Sequence, residues 1–216
     1  TAVGHVAVGF KALEANTSGD QNTAVGSGAA ETNTTGRNNT AVGFEAFHVN
    51  TAGEDNVAIG TTALALLTDG DDNTAVGSGA LARATTSSNN TAVGYFALLA
   101  NTTATGGTAV GSGAGDAITT GNGNTVIGNG AGGGITTGSA NTCIGETAGN
   151  ASVVLTTGSD NVVIGQDCRT GAVDNDAAIV LGHAVTGVGT RNFTFGDGGT
   201  DSNIAFGATS ISAPSD

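Results

Sequence analysis

The pentapeptide N-T-A-V-G, at Asn22 to Gly26, recurs along the chain with a fixed spacing. Its glycine marks the repeat, and consecutive glycines of this kind lie 17 residues apart. These glycines are Gly9, Gly26, Gly43, Gly60, Gly77, Gly94, Gly111, Gly128 and Gly145. An unbroken period of this length is typical of a solenoid, in which each repeat forms one coil that stacks on the next.

The overall composition, taken without the period, is typical of a disordered chain. The 216 residues include 38 glycines and no Trp or Met, and only 4% are aromatic. Such a chain has little apolar surface with which to offset the entropy lost on folding. A repeat that is too poor in apolar residues to fold alone can still share a continuous core with its copies. The period therefore predicts an all-β protein, a parallel β-solenoid or β-roll of 17-residue coils.

Charge and hydropathy exclude several classes of partner. The chain carries 18 acidic and 5 basic residues, a net charge of −13, which disfavours nucleic acid and anionic membranes. No apolar run is long enough to span a bilayer, so we expect no membrane insertion. Cys143 and Cys168 occupy positions that alanine fills in other repeats, and we expect both to be small buried residues.

The three residues before the glycine predict a short strand. The residue just before the glycine is apolar in every repeat, and the residue two positions earlier is β-branched or aromatic. Alternation places both on one face of a strand, and we predict that this face is the core. The residue between them is small and usually alanine, as at Ala24, Ala41, Ala58, Ala75, Ala92 and Ala109.

A strand that is apolar on both faces needs a cover on each side. One hypothesis is that the alanine face lies at the three-fold axis of a homotrimer, where small side chains allow close approach of three chains. The alternative is that alanine points into a thin single-chain roll while threonine faces water. The first hypothesis predicts a homotrimeric solenoid with self-association as its main contact.

Two further columns of polar residues accompany the strand. Asparagine precedes it at Asn22, Asn39, Asn56, Asn73, Asn90, Asn124, Asn141 and Asn161. Stacked asparagine amides can bond to one another and to the backbone, so we predict a structural ladder. Threonine recurs on the return path at Thr17, Thr34, Thr51, Thr68, Thr85, Thr102, Thr119 and Thr136. We call this second set the threonine column.

The spacing changes toward the C-terminal end. Gly145 and Gly165 are 20 residues apart, and the later intervals shorten. Phe193, Phe195 and Phe206 occupy the position predicted to be core, where they would cap the end of the solenoid. We therefore expect a repeat domain over residues 1–170 and a cap or neck segment over residues 171–216.

The repeat resembles those of two groups of surface proteins. N-x-A-V/I-G is similar to the head repeat of trimeric autotransporter adhesins, which form trimeric parallel β-rolls from shorter repeats. The fuller pattern, N-T-A-V-G-x-x-A-L with N-T-T-G before the next copy, resembles phage tail fibre proteins and related bacterial surface proteins that end in a self-cleaving chaperone domain. The likeness covers about residues 5–165. It implies a homotrimeric fibre, on a virion tail or at a cell surface, that attaches to a host cell or other surface.

The same resemblance implies a processing site at the end of the chain. Chaperone domains of tail fibres begin with a motif that opens on Ser-Asp and cleave themselves between these two residues. The chain ends in Ser215-Asp216, after the only proline. We therefore expect the gene to continue into a chaperone domain that is removed after assembly.

Residues with possible chemical roles are few. Glu54, Asp55, Asp71 and Asp72 would lie one coil apart in acidic turns, where a calcium ion could offset their repulsion. No known calcium-loop pattern accompanies them, so solvated turns and no cofactor are the favoured interpretation. The three histidines occupy unrelated positions in the repeat, which disfavours a zinc or catalytic site.

Several aromatic residues follow the repeat glycine. Phe10, Phe44 and Tyr95 stand directly after it, and Phe96 is next to Tyr95. Aromatic side chains dominate many recognition contacts, so these residues are candidates for binding a surface glycan or a protein receptor. Alternatively, they fill gaps between chains of an assembly.

Three function classes fit this sequence. The first is a non-catalytic fibre or adhesin segment. The second is an ice-binding solenoid, suggested by the threonine column, although the residues beside that column vary. The third is a glycan depolymerase, which would need paired carboxylates in a groove, whereas the acidic residues here cluster in turns. The sequence favours the first class.

Overall fold

The computed structural model describes residues 3–150, 154–199 and 201–205, and these residues form β-strands and turns without a helix. The predicted all-β parallel solenoid is confirmed. The strands are β1 Val6–Val8, β2 Thr23–Val25, β3 Thr40–Val42, β4 Val57–Ile59, β5 Thr74–Val76, β6 Thr91–Val93, β7 Thr108–Val110, β8 Thr125–Ile127, β9 Thr142–Ile144, β10 Val162–Ile164, β11 Ile179–His183, β12 Asn192–Asp197 and β13 Ser202–Ala205.

The strands stack in chain order into one 13-stranded sheet. From β1 to β12 neighbouring strands are parallel, and equivalent positions of the repeat face each other, as Ala24 faces Ala41. The strand β13 reverses direction and pairs antiparallel with β12. Because parallel strands lie about 4.8 Å apart, β1 to β12 form a rod about 50 Å long.

The repeat glycine allows the coils to stack this closely. Gly60 has a φ of +130°, which side chains of L-residues rarely adopt. A Cβ added there would lie 2.6 Å from the carbonyl carbon of Gly77 in the next coil. Any other residue would have to push adjacent coils apart, and this explains why the glycine recurs in each coil.

The middle residue of each strand points into the coil, and the two flanking residues point outward. Six alanines that could have formed a three-fold face are buried inside their own chain: Ala24, Ala41, Ala58, Ala75, Ala92 and Ala109. The prediction that these alanines meet at a three-fold axis is therefore wrong, and the alternative of a thin single-chain roll is correct. The prediction that the residue before the glycine is core is also wrong, since Ile59 is 39% exposed and Val93 is 36% exposed.

The interior is thin, and its residues compensate one another in size. Leu64 and Leu81 fill the wall opposite alanine in the central coils. Where the strand carries Val126 instead, the opposite wall has Gly132, and a Cβ there would lie 2.5 Å from Val126 Cγ1. A narrow, close-packed interior tolerates little change in total volume. On most strands the middle residue that faces inward is therefore alanine, and the larger β-branched residues on either side of it face outward.

The sheet continues across residue 170 into β11 and β12. The predicted domain boundary at that point stays a prediction. Phe193 and Phe195 flank the buried Thr194 and point away from the interior, so the prediction that they are core residues is wrong. Phe206 lies outside the described residues. Within the described ranges, no helix could cross a membrane.

Candidate functional site

The outer surface of the sheet carries two columns of side chains, which we call the strand face. The first column contains Val6, Thr23, Thr40, Val57, Thr74, Thr91, Thr108, Thr125, Thr142, Val162, Ile179 and Phe193. The second column contains Val8, Val25, Val42, Ile59, Val76, Val93, Val110, Ile127, Ile144, Ile164, Leu181 and Phe195. Neither column contains a charged residue.

The strand face is a continuous, partly exposed and uncharged surface, with threonine at most positions of the first column and apolar residues throughout the second. Each short strand is about 10 Å wide, and the stack is about 50 Å long, which gives a flat area of about 500 Å². Apolar patches on monomeric proteins rarely exceed this size, and patches of this size often serve as interaction sites. The strand face is therefore the main candidate for a functional surface.

Threonine side chains play different roles on the two sides of the coil. In the threonine column, each hydroxyl donates to a backbone carbonyl one coil away, as Thr17 Oγ1 does to Thr34 O at 2.9 Å and Thr34 Oγ1 to Thr51 O at 2.7 Å. These hydroxyls therefore stabilise the stack. Among the described residues, the strand-face hydroxyls, such as that of Thr74, make no hydrogen bond within the chain and remain open to an external partner.

The asparagines before the strands are buried and bond from coil to coil. The side-chain amide of Asn73 donates to Asn56 Oδ1 at 3.0 Å and to Ser87 O at 2.8 Å. Its own Oδ1 accepts from the backbone N–H and the side-chain amide of Asn90, both at 3.1 Å. The column therefore supplies hydrogen bonds to buried backbone groups, which is a structural role.

A second asparagine column escaped the sequence analysis. It consists of the residues seven positions after the glycine: Asn16, Asn33, Asn50 and Asn101. Asn33 Nδ2 donates to Asn16 Oδ1 at 2.9 Å, and Asn50 Nδ2 donates in turn to Asn33 Oδ1. The signal in the sequence is weak, because leucine, isoleucine or alanine fills this position in other coils, as Leu67 does.

The acidic turns have structural roles. Asp71 Oδ1 accepts a hydrogen bond from the backbone N–H of Glu54, one coil earlier, at 2.8 Å. Asp55 and Asp72 each have a φ of +57°, a left-handed conformation in which Asp is enriched. In the part of the chain that the structure describes, no group of three or more His, Cys, Asp or Glu residues is placed to hold a metal ion. The hydrogen bond and the backbone conformations give these acidic residues a structural role in the turns.

The aromatic candidates lie beside the strand face. Phe10 is 72% exposed, Phe44 is 52% exposed and Tyr95 is 55% exposed. Phe96 is half-buried and stacks on Tyr95 with ring centroids 3.9 Å apart. Its ring covers Gly79, where a Cβ would lie 2.5 Å from Phe96 Cε1. Three of the four rings are thus accessible, and Phe96 supports one of them.

The remaining reactive side chains are dispersed. His5, His48 and His183 contact Asn16, Glu31 and Asp197 respectively. A hydrogen bond from Lys11 holds the pKa of Glu31 below its usual value.

The two cysteines are free and buried, as expected. Burial raises the pKa of the Cys143 thiol to about 12, so this thiol is unreactive at neutral pH. Ser215 and Asp216, the expected processing site, lie outside the described residues.

Comparison of the chain with protein-family models, curated proteins and solved structures finds no match. The functional argument therefore depends on the geometry of the strand face and its neighbours.

The asparagine ladder can be tested by removing one amide in the middle of the stack. Asn73→Ala leaves the backbone N–H of Asn90 without its acceptor and Ser87 O without this donor. We expect the free energy of unfolding to fall by about 2 to 3 kcal/mol, as measured by chemical denaturation. Asn129→Ala, at an exposed position, is the control and should change it by less than about 0.5 kcal/mol. Equal effects of the two substitutions would contradict a structural role for the ladder.

The second asparagine column predicts a stabilising substitution. Asn101 Oδ1 is buried without a partner, because the next coil has Ile118 where an asparagine would donate. The carbonyl of Ala104, to which Asn101 Nδ2 donates, keeps a second donor in Asn90 Nδ2 at 3.0 Å. Asn101→Leu should therefore raise the free energy of unfolding by about 1 kcal/mol.

The matched control is Asn50→Leu. Asn50 Oδ1 accepts from the backbone N–H of Gly53 at 2.9 Å, and its amide donates to Asn33 Oδ1. This substitution should lower the free energy of unfolding in the same denaturation measurement. A loss of stability in both variants would mean that the unpaired side-chain oxygen of Asn101 does not destabilise the fold.

Proposed function

We propose that this chain is a non-catalytic segment of a homotrimeric fibre that attaches a virion or a cell to a surface. The observation that supports the proposal is the strand face, a partly exposed and uncharged surface of threonine and apolar residues along the whole rod. A soluble monomer has no need of such a surface, whereas two further copies of the chain would cover it. The resemblance of the repeats to those of trimeric surface proteins supports three as the number of copies.

The residues of the strand face suit contact between identical chains. In a parallel cyclic assembly each residue near the axis meets its own copies, so any charge there would meet like charges. The strand face is free of charge, and the acidic residues that give the net charge of −13 lie elsewhere. The open hydroxyls of residues such as Thr74 and Thr91 would bond across the interface.

The size of the strand face is of the right order for a stable contact. Its flat area of about 500 Å² per chain compares with the roughly 800 Å² that each partner contributes to a standard interface. Side-chain relief and the residues that border the face would supply the remainder. The rod would then act as a stiff spacer, held along its axis by backbone hydrogen bonds between all neighbouring coils.

Attachment would use side chains outside the interface. Phe10, Phe44 and Tyr95 are exposed and lie one position beyond the repeat glycine, next to the strand face. Exposed aromatic rings in a mainly small and polar surface offer contact area to a glycan or a protein receptor. The surface glycan or protein receptor is thus the second partner in this proposal, after the other copies of the chain.

A second candidate function is ice binding, which the open hydroxyls of the strand face favour. Threonine holds seven successive or near-successive positions of the first column, from Thr23 to Thr142, beside an unbroken apolar column. The two candidates compete for the same surface, because a trimer would cover it. A thermal-hysteresis assay separates them: activity from a monomeric rod would favour ice binding, and its absence with a trimeric mass would favour the fibre.

The trimer is tested by placing a charge on the strand face. Val76→Lys changes an outward-facing residue of β5, so the single chain should keep its fold. Three lysines would meet near the axis, and we expect sedimentation equilibrium to give the mass of one chain instead of three. Far-UV circular dichroism should be unchanged.

Thr120→Lys is the matched control, because Thr120 is exposed on another side of the coil. This variant should keep the mass of three chains. A wild-type mass of one or two chains, or a Val76→Lys variant that remains trimeric, would refute the proposed assembly.

The attachment role is tested with the residues that the repeat itself uses. Serine occupies the position after the glycine at Ser27, Ser78 and Ser112, so Phe10→Ser, Phe44→Ser and Tyr95→Ser should preserve the coil. On a glycan array and on host-cell surfaces, we expect the triple variant to lose at least tenfold in binding while its mass stays that of three chains. Undiminished binding would exclude these rings as the receptor contact.

A further inference from the structure

The strand face repeats so regularly that it cannot set its own register. Thr74 and Val76 in β5 recur as Thr91 and Val93 in β6 and again in β7. Two chains that slide past each other by one coil therefore bring almost the same side chains into contact. An assembly built on this face alone would be degenerate in steps of about 4.8 Å.

The C-terminal end of the strand face breaks this degeneracy. There the threonine and valine of the repeat are replaced by Phe193 and Phe195, which both point outward from β12. Their ring centroids are 5.1 Å apart, and Phe195 is 36% exposed. Ile204 of the reversed strand β13 pairs opposite Phe193 and extends the apolar surface by one strand.

The position of the two rings is as important as their size. β12 is the last parallel strand, and β13 runs in the opposite direction, so the regular stack ends here. The strand before it carries Ile179 and Leu181 at the same two positions. Over the described strands, a pair of aromatic residues occurs on the strand face only at β12.

We propose that Phe193 and Phe195 form a register clamp, whose partners are the same two residues of the other copies of the chain. This inference rests on the proposed homotrimer. In register, six rings meet around the axis at one level, where tilted or offset ring pairs are favoured. If one chain slips by one coil, its Phe193 and Phe195 lie against Ile179 and Leu181 of a neighbouring chain. The two phenylalanine rings of that neighbour are then left without aromatic partners. The clamp selects one of many nearly equivalent alignments.

The test replaces the clamp with the residues of the regular repeat. Phe193→Thr with Phe195→Val restores the pair found at Thr91 and Val93, so the strand face keeps its usual character. Slippage is read by disulfide formation between two co-expressed chains with tags of different mass. One chain carries Thr74→Cys and the other carries Thr108→Cys, and both carry the same C-terminal end.

The two reporter positions lie two coils apart, about 9.6 Å along the axis in a registered trimer. Disulfides need Cα atoms within about 6.8 Å, so this cross-link forms only in slipped assemblies. A second pair, Thr74→Cys in both chains, reports correct register. Both natural cysteines are buried, which keeps them from forming competing cross-links.

With the natural end we expect cross-links between equivalent positions and almost none between positions 74 and 108. When the C-terminal end carries Phe193→Thr and Phe195→Val, we expect the cross-link between positions 74 and 108 to rise at least tenfold, while the mass remains that of three chains. As a control, Phe10→Thr with Phe44→Val also removes two phenylalanine rings, but from outside the strand face. This variant should leave the pattern of cross-links unchanged. Moving the clamp, by adding Thr125→Phe and Ile127→Phe to the altered end, should restore register.

The outcomes distinguish this inference from the proposed function. A registered trimer with the altered end overturns the clamp and leaves the trimer standing. A natural chain that has the mass of one or two chains overturns both. If circular dichroism shows that the double variant does not fold, the cross-linking test is repeated with Phe195→Val alone. This single variant should fold, since the ring of Phe195 is exposed. A single variant with unchanged register would likewise overturn the clamp.

Discussion

The interior of each coil is about one side chain deep, and the other features of the rod depend on this constraint. Where Val126 replaces alanine on the strand, the opposite wall has Gly132, because any Cβ there would meet the valine. A space this narrow accepts alanine in most coils and sends the larger β-branched residues to the outside. The apolar strand face is therefore a consequence of the thin core. A chain of this design exposes apolar residues unless something covers them.

The same constraint explains which parts of the fold could be predicted from the sequence. The period of the glycines predicted coil length and parallel stacking, since Gly60 and its equivalents must lie against the next coil. Hydrophobicity could not predict which face of the strand points into the coil, because Ala75 and Val76 are both apolar. Their choice of face depends on the width of the coil, a tertiary property. The prediction that Phe195 is a core residue was wrong for the same reason, since this residue lies on the outward face of its strand.

For the candidate site, the sequence predicted residue columns better than their roles. Asparagines at a constant position indicated a ladder, and the amides of Asn56 and Asn73 do bond to each other. The second column, with Asn33 and Asn50, was missed because apolar residues share its position in other coils. The acidic turns were predicted to be solvated, with calcium as the alternative, but their bonding was not foreseen: Asp71 accepts a hydrogen bond from a backbone N–H and Asp72 adopts a left-handed turn. Such local backbone demands are not visible in composition.

Charge and apolar surface are segregated by these demands. Asp and Asn fill several left-handed turn positions, as at Asp55, Asp72 and Asn89, and Asp71 accepts a hydrogen bond from a backbone N–H, so acidic residues collect in the turns. The strands require small residues inside and β-branched residues outside, so the strand face is left without charge. One side of the rod can then meet identical chains while the other sides repel them. In the proposed trimer, this segregation would limit lateral contact to one face and favour a finite bundle over an open sheet of rods.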